Sequence, residues 1–213
     1  MSNFIRWTAR LLGVAAIASA PQFVGAQEAR LLAIRDDATR DFVRQFVEAA
    51  RVRGTPTEPL VSRALEGVAF KADRKRIEQA MAALEKRLRR SRDLLGAKAT
   101  ADEVAAGADA LAADVPAGMI QEMKKLAPQR QITVELGVLT ELVAKGISPK
   151  VAAERIKELM ARGATGAQLT ELNAAVQQDV ALGIKPVAAL ELRGRGVMSL
   201  LPPPASVNSA QRR

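Results

Sequence analysis

The stretch Arg53–Ala69 reads RGTPTEPLVSRALEGVA, and ninety-two positions later Lys145–Ala161 reads KGISPKVAAERIKELMA. Both copies end one periodic segment with a glycine and open the next with a proline behind a capping residue. A glycine just past a helix accepts the left-handed conformation that closes it. A proline at the first helical position loses no hydrogen bond, because its N–H would have no partner there anyway. A chain punctuated this way is confined to short helices joined by tight turns. The same punctuation recurs elsewhere: Gly54 precedes Thr55-Pro56-Thr57-Glu58, Gly96 precedes Thr100-Ala101-Asp102-Glu103, and Gly163 precedes Thr165-Gly166-Ala167-Gln168. Each of these three tetrapeptides has the Ser/Thr-x-x-Glu/Gln form of a capping box.

Apolar residues between the signals fall at helical spacing. The pattern predicts helices over Asp37–Arg53, Pro56–Phe70 and Arg74–Leu95, and weaker ones over Ala101–Asp114 and Ala117–Leu126. Four more follow over Val134–Lys145, Pro149–Arg162, Ala167–Leu182 and Pro186–Arg193. In Arg74–Leu95 the inward set Ile77, Met81, Leu84, Leu88, Ser91 and Leu95 alternates steps of four and three, a narrow seam suited to a neighbouring helix. Overlaid at an offset of 92, residues Phe42–Leu88 match their counterparts without a gap. Gly54 falls on Gly146, Arg63 on Arg155 and Glu66 on Glu158. Convergence of two antiparallel helix sets is the competing account, and the matched turn chemistry favours duplication. The expected fold is all-α, eight or nine short antiparallel helices in a bundle or short superhelical array built from a duplicated three-helix unit.

The expected divisions are a signal peptide over 1–26, a first helical unit with a bridging helix pair over 27–130, a second unit over 131–200, and a disordered Pro-rich tail over 201–213. Arg6 and Arg10, the apolar run Leu11–Ala20 and the small-residue site Val24-Gly25-Ala26 have the three parts of a secretory signal. The apolar run is only about ten residues, against the roughly 20 a spanning helix needs, so no transmembrane segment is expected after cleavage. With no cysteine, neither a disulfide framework nor a lipid-modified cysteine is available. Aromatics are only 3%, which suits closely approaching helices better than a sheet.

Histidine, cysteine and tyrosine are all absent. Thiol and imidazole nucleophile systems and the common zinc sites therefore have no ligands or bases to work with. No glycine-rich loop follows a strand, so nothing cradles a phosphate, and no cofactor is expected. Two carboxylates at suitable separation suffice for a glycosidase, and Glu66 and Glu158 occupy equivalent places. Each also lies three residues after an arginine, Arg63 and Arg155, which is the spacing of a surface ion pair, and that reading is favoured.

What remains is charge. The chain carries a formal +9, and residues 71–93 hold nine basic side chains against four acidic ones. Residues 101–114 hold four acids and no base. On a helical wheel Lys75, Lys86, Arg89 and Arg90 lie opposite the Ile77–Leu95 seam. With Arg87 they form the expected partner-binding set, for an anionic envelope component or an acidic protein. Nucleic acid is disfavoured, since no stacking aromatics accompany the basic residues. The reading is a non-enzymatic, periplasmic or secreted protein acting by binding or scaffolding. The alternatives are a carboxylate-dependent cell-wall glycan hydrolase and a periplasmic holdase.

Overall fold

The computed structural model describes residues 29–203; the expected signal segment and residues 204–213 lie outside them. The described residues are all helical in their regular structure and form a bundle-like array. After a short helical turn at 29–31 come nine helices: α1 (Asp37–Val52), α2 (Glu58–Ala69), α3 (Arg74–Leu95), α4 (Ala101–Ala112), α5 (Ala117–Leu126), α6 (Thr133–Ala144), α7 (Pro149–Ala161), α8 (Gly166–Ala181) and α9 (Pro186–Leu200).

The caps are built from the residues that signalled them. Asp36 accepts from the backbone N–H of Thr39 at 2.7 Å, and Ser148 from that of Val151 at 3.4 Å. Thr165 and Gln168 complete a reciprocal capping box. Two expectations need correction. The Thr55–Glu58 capping box is not formed, because Thr55 is consumed by the preceding turn: its N–H bonds to the Ala50 carbonyl at 2.9 Å, so α2 starts at Glu58. At Thr100–Glu103 only half of the box forms, since the Glu103 side chain turns inward to other partners.

The repeat of turns is visible in the backbone. At an offset of 92, the end of α1 coincides with that of α6, the end of α2 with that of α7, and the start of α3 with that of α8. Gly54 and Gly146 both hold positive φ, 71° and 89°. Behind them Thr55 and Ile147 donate to the carbonyls of Ala50 and Leu142, the outer bond of a Schellman turn. The next turn repeats as well, with Lys71 at φ 55° standing where the second unit has Gly163 at φ 85°. Ala72 and Ala164 then donate to Gly67 and Leu159, each at 2.9 Å. A lysine held in the left-handed region shows how strongly the surrounding helices impose this turn.

One buried cluster of Leu, Ile, Val, Ala and Met side chains runs from Leu31 to Leu190. The inward seam of α3 is buried throughout, Ser91 included. Within the first unit α2 lies close on α3; within the second, α8 lies on α6 rather than on α7. The residue at the crossing accounts for the difference. A Cβ on Gly67 would come within 2.8 Å of Ile77 Cγ1, so only glycine admits that approach, whereas the equivalent Leu159 is buried and fills the space. A fourth helix then lies on the third in each unit, α4 on α3 and α9 on α8. Gly107 lets α4 settle against Ser91 and Leu95.

The chain between the units contacts both: α4 meets α6 as well as α3, and α5 meets α3 and α7. A buried polar network ties this region together. Glu103 of α4 is fully buried, and its Oε1 accepts from Lys124 Nζ of α5 at 2.8 Å and from the Ile132 N–H at 2.9 Å. Lys124 also donates to the Arg130 carbonyl at 2.9 Å, and Arg130 pairs with the buried Glu135 of α6.

The last helix is longer than its periodicity suggests. It continues past Arg193, through Gly194 and Gly196, to Leu200. At Gly194 the small residue is used: Arg155 of α7 lies across it, and a Cβ would stand 3.1 Å from Arg155 Cδ. The first residues of the Pro-rich stretch are held too, since Arg162 donates to the carbonyls of Pro202 at 2.9 Å and Leu201 at 3.5 Å.

Candidate binding surface

The long helix α3 opens at Asp73, whose carboxylate accepts from the Arg76 N–H at 2.8 Å. Its first turn then places Arg74, Lys75 and Arg76 at the positive end of the helix dipole, with no acid among them. Each cation there costs a few tenths of a kcal/mol, roughly 0.3–1. Arg74 recovers part of this through Glu78 at 2.7 Å and by lying 5.6 Å from the Phe42 ring centroid. Arg76 reaches Asp73 at 3.5 Å. Lys75 is exposed and has no ion-pair partner among the described residues. A local rule broken without local compensation is expected where a side chain serves something outside the fold.

Further along α3, Lys86, Arg89 and Arg90 are exposed, and likewise make no ion pair among the described residues. The three line one shallow open groove of about 710 Å³ with Ala82, Glu85 and Asp93. Glu85 is held at the edge by Arg53 at 2.6 Å. Arg87 points elsewhere. It is half-buried toward α4 with its Nε buried and unpartnered, and its charge acts on Asp109 of α4. Lys75 stands eleven residues before Lys86, about 16 Å along the axis at the helical rise. Of the five residues singled out by charge, three share a groove, one extends the face and one faces the interior.

The acidic helix α4 is partly accounted for inside the molecule. Glu103 is bound in the α4–α5–α6 network. Desolvation raises the carboxyl of Asp109 above its ordinary value, against the pull of Arg63 and Arg87. In the second unit the corresponding contacts are stronger. Asp179, at the position of Arg87, takes two hydrogen bonds from Arg193 of α9 at 2.6 and 2.7 Å, which hold its carboxyl below its ordinary value.

The expected Arg–Glu pairs are both present, Arg63 with Glu66 at 2.8 Å and Arg155 with Glu158 at 2.5 Å. Glu66 lines a groove between α2 and α3, Glu158 one between α5 and α7, so the two carboxylates face no common cleft. In the α5–α7 groove Glu122 pairs with Lys157 at 2.6 Å and Glu154 with Lys150 at 3.9 Å. Among the described residues no group of three or more Asp or Glu is placed to hold a metal ion. No helix among them is long and apolar enough to cross a membrane.

The described residues are thus an all-helical, bundle-like array in which turn positions recur at an offset of 92, with one long helix presenting a cationic outward face. Comparisons with protein-family models, with curated proteins and with solved structures find no match.

Charge counting missed the buried carboxylates Glu103, Glu135 and Asp179. Helical spacing held a signal for the first, since Glu103, Gly107 and Ala110 lie at i, i+4 and i+7 and all are buried. The open groove beside Phe70 carries no sequence signal beyond the end of a periodic segment.

Proposed function

We propose that this is an exported, non-enzymatic protein of the bacterial envelope that binds an anionic partner through the outward face of α3. The observation that carries the reading is the set of Lys86, Arg89 and Arg90, exposed together on one groove and without ion pairs among the described residues. Elsewhere the chain pairs its charges readily, as at Arg63, Arg155 and Arg193. Leaving adjacent cations unpaired raises the local potential and favours encounter with an anionic surface or an acidic protein. The signal-like composition of residues 1–26 supports an envelope partner.

The test is retention on an isolated envelope fraction at low and high salt. Wild type binds at low salt and is released as screening shortens the reach of the charges. The variant Lys86→Glu/Arg89→Glu/Arg90→Glu keeps its helical circular dichroism and loses retention. Retention that survives both the substitutions and the salt removes α3 from the case.

A further inference from the structure

The turn behind Gly54 carries a polar side chain where its geometry suits an apolar one. In a Schellman turn the residue after the left-handed glycine packs back on the helix that the turn closes. Ile147 takes that place in the second unit and is 1% exposed; Thr55 takes it in the first and is 5% exposed. The Thr55 backbone is fixed by its bond to Ala50, but its hydroxyl oxygen is buried and finds no hydrogen-bond partner among the described residues. A buried hydroxyl left unmatched costs stability that an aliphatic side chain of the same shape would not.

Two positions around it change in the same sense. Arg51 and Arg92 stand where the second unit has Val143 and Ile184. Arg92 belongs to the last turn of α3, where the helix dipole favours a cation. The dipole does not account for its burial: Arg92 is half-buried, and its Nε is buried without a hydrogen-bond partner. Thr55, Arg51 and Arg92 line one open cavity of about 510 Å³. The opening residues of α2 and α4 complete the wall, so the positive ends of two helix dipoles border it. There α2 opens without a side-chain hydrogen bond onto its first turn. The acids on the wall are Glu58 and Asp102. Arg51 is paired with Glu48 and Glu58 with Arg30, which leaves Arg92 and Asp102 as the lining charges without an ion pair among the described residues. The two helix ends tip that balance positive.

We propose that this cavity is a binding site for a small oxyanion, a phosphate or carboxylate group held by the Arg92 guanidinium, the Thr55 hydroxyl and the first turn of α2. An oxyanion supplies the acceptors that these donors lack within the fold, and a planar guanidinium meets two of its oxygens at once. Asp102 on the same wall repels a second anionic group, so the occupant carries one. The cavity shares no residue with the Lys86–Arg90 groove, so the proposal goes beyond the anionic-partner reading and is independent of it.

The test is isothermal titration calorimetry of the full chain with inorganic phosphate and, separately, with acetate. Saturable binding of one or both is expected, and the tighter of the two identifies the group. Arg92→Gln weakens it about tenfold or more, as on losing a charge-assisted hydrogen bond. Thr55→Val weakens it about fivefold, as on losing a neutral one, and raises the Tm of the unliganded chain by removing the unmatched hydroxyl. A merely structural threonine would lose stability without moving the affinity. Three results overturn the proposal: no saturable heat with either probe; equal binding by wild type, Arg92→Gln and Thr55→Val, which is a general effect of salt on the protein surface; or binding that survives Arg92→Gln and is lost with Lys86→Glu/Arg89→Glu/Arg90→Glu, which places the anion on the outward face of α3.

Discussion

The two units are built from the same turns and differ in what their helices present. In the first, α3 carries Lys86, Arg89 and Arg90 outward; in the second, the same positions are Gln178, Ala181 and Leu182, all exposed. The residue at the position of Arg87 differs too: Arg87 makes no ion pair among the described residues, whereas Asp179 is gripped by Arg193. Turn geometry and core seam, which the units share, are requirements of folding. Surface charge, which they do not share, is where binding can be sought.

The largest expected effect lies between the units. Glu103→Ala leaves Lys124 and the Ile132 N–H without their buried partner, at a cost of about 3–5 kcal/mol. That lowers Tm by about 10 °C for a chain of this size, and calorimetry reads it directly. If the network couples the units, the single unfolding transition also broadens or divides. Next is Gly67→Leu, which gives the first unit the residue of the second. Overpacking against Ile77 costs about 1–3 kcal/mol by urea unfolding, and an unchanged midpoint would mean that α2 and α3 are not held as close as 2.8 Å implies. A smaller effect of opposite sign follows from Lys71→Gly, which removes a left-handed lysine: a gain of about 0.5–1 kcal/mol, with Gly163→Lys losing a similar amount.

The helix count, turn positions and inward seam of α3 were legible because each rests on neighbours in sequence: a cap, a glycine, a spacing of three or four. Even so, Thr55 was misread because the same residue type serves both ends of a turn, and only the bond to Ala50 decides between them. Gly194 and Gly196 read as the end of α9, since no local signal says that Arg155, thirty-nine residues away, lies over Gly194. On the candidate face the wheel assigned Lys75, Lys86, Arg89 and Arg90 correctly to the outside. Arg87 lies at the boundary, half-buried with its Nε unpartnered, and the wheel does not separate it from the outward set.

The smallest effects are electrostatic and have opposite signs in the two units. Asp179 is held below its ordinary carboxyl value by Arg193, so its contribution is full above about pH 4 and is lost as pH falls through the lowered folded value. Asp179→Asn therefore lowers Tm at neutral pH, with the deficit shrinking in acid. Asp109 is raised by desolvation, so its penalty is full above the raised value and vanishes below about pH 4. Asp109→Asn gives a slight rise in Tm at neutral pH and none in acid. Thermal melts across pH 3–7 would contradict the comparison if both variants moved in the same direction.

The central claim is that binding resides in the charge difference between the two third helices, and an exchange of faces tests it most directly. Lys86→Gln/Arg89→Ala/Arg90→Leu gives α3 the side chains of α8, and Gln178→Lys/Ala181→Arg/Leu182→Arg gives α8 those of α3. The measurement is retention on an envelope fraction at low salt. The first variant is predicted to lose it while remaining folded, and the double exchange to regain part of it through the second unit. Full retention by the first variant would contradict the account.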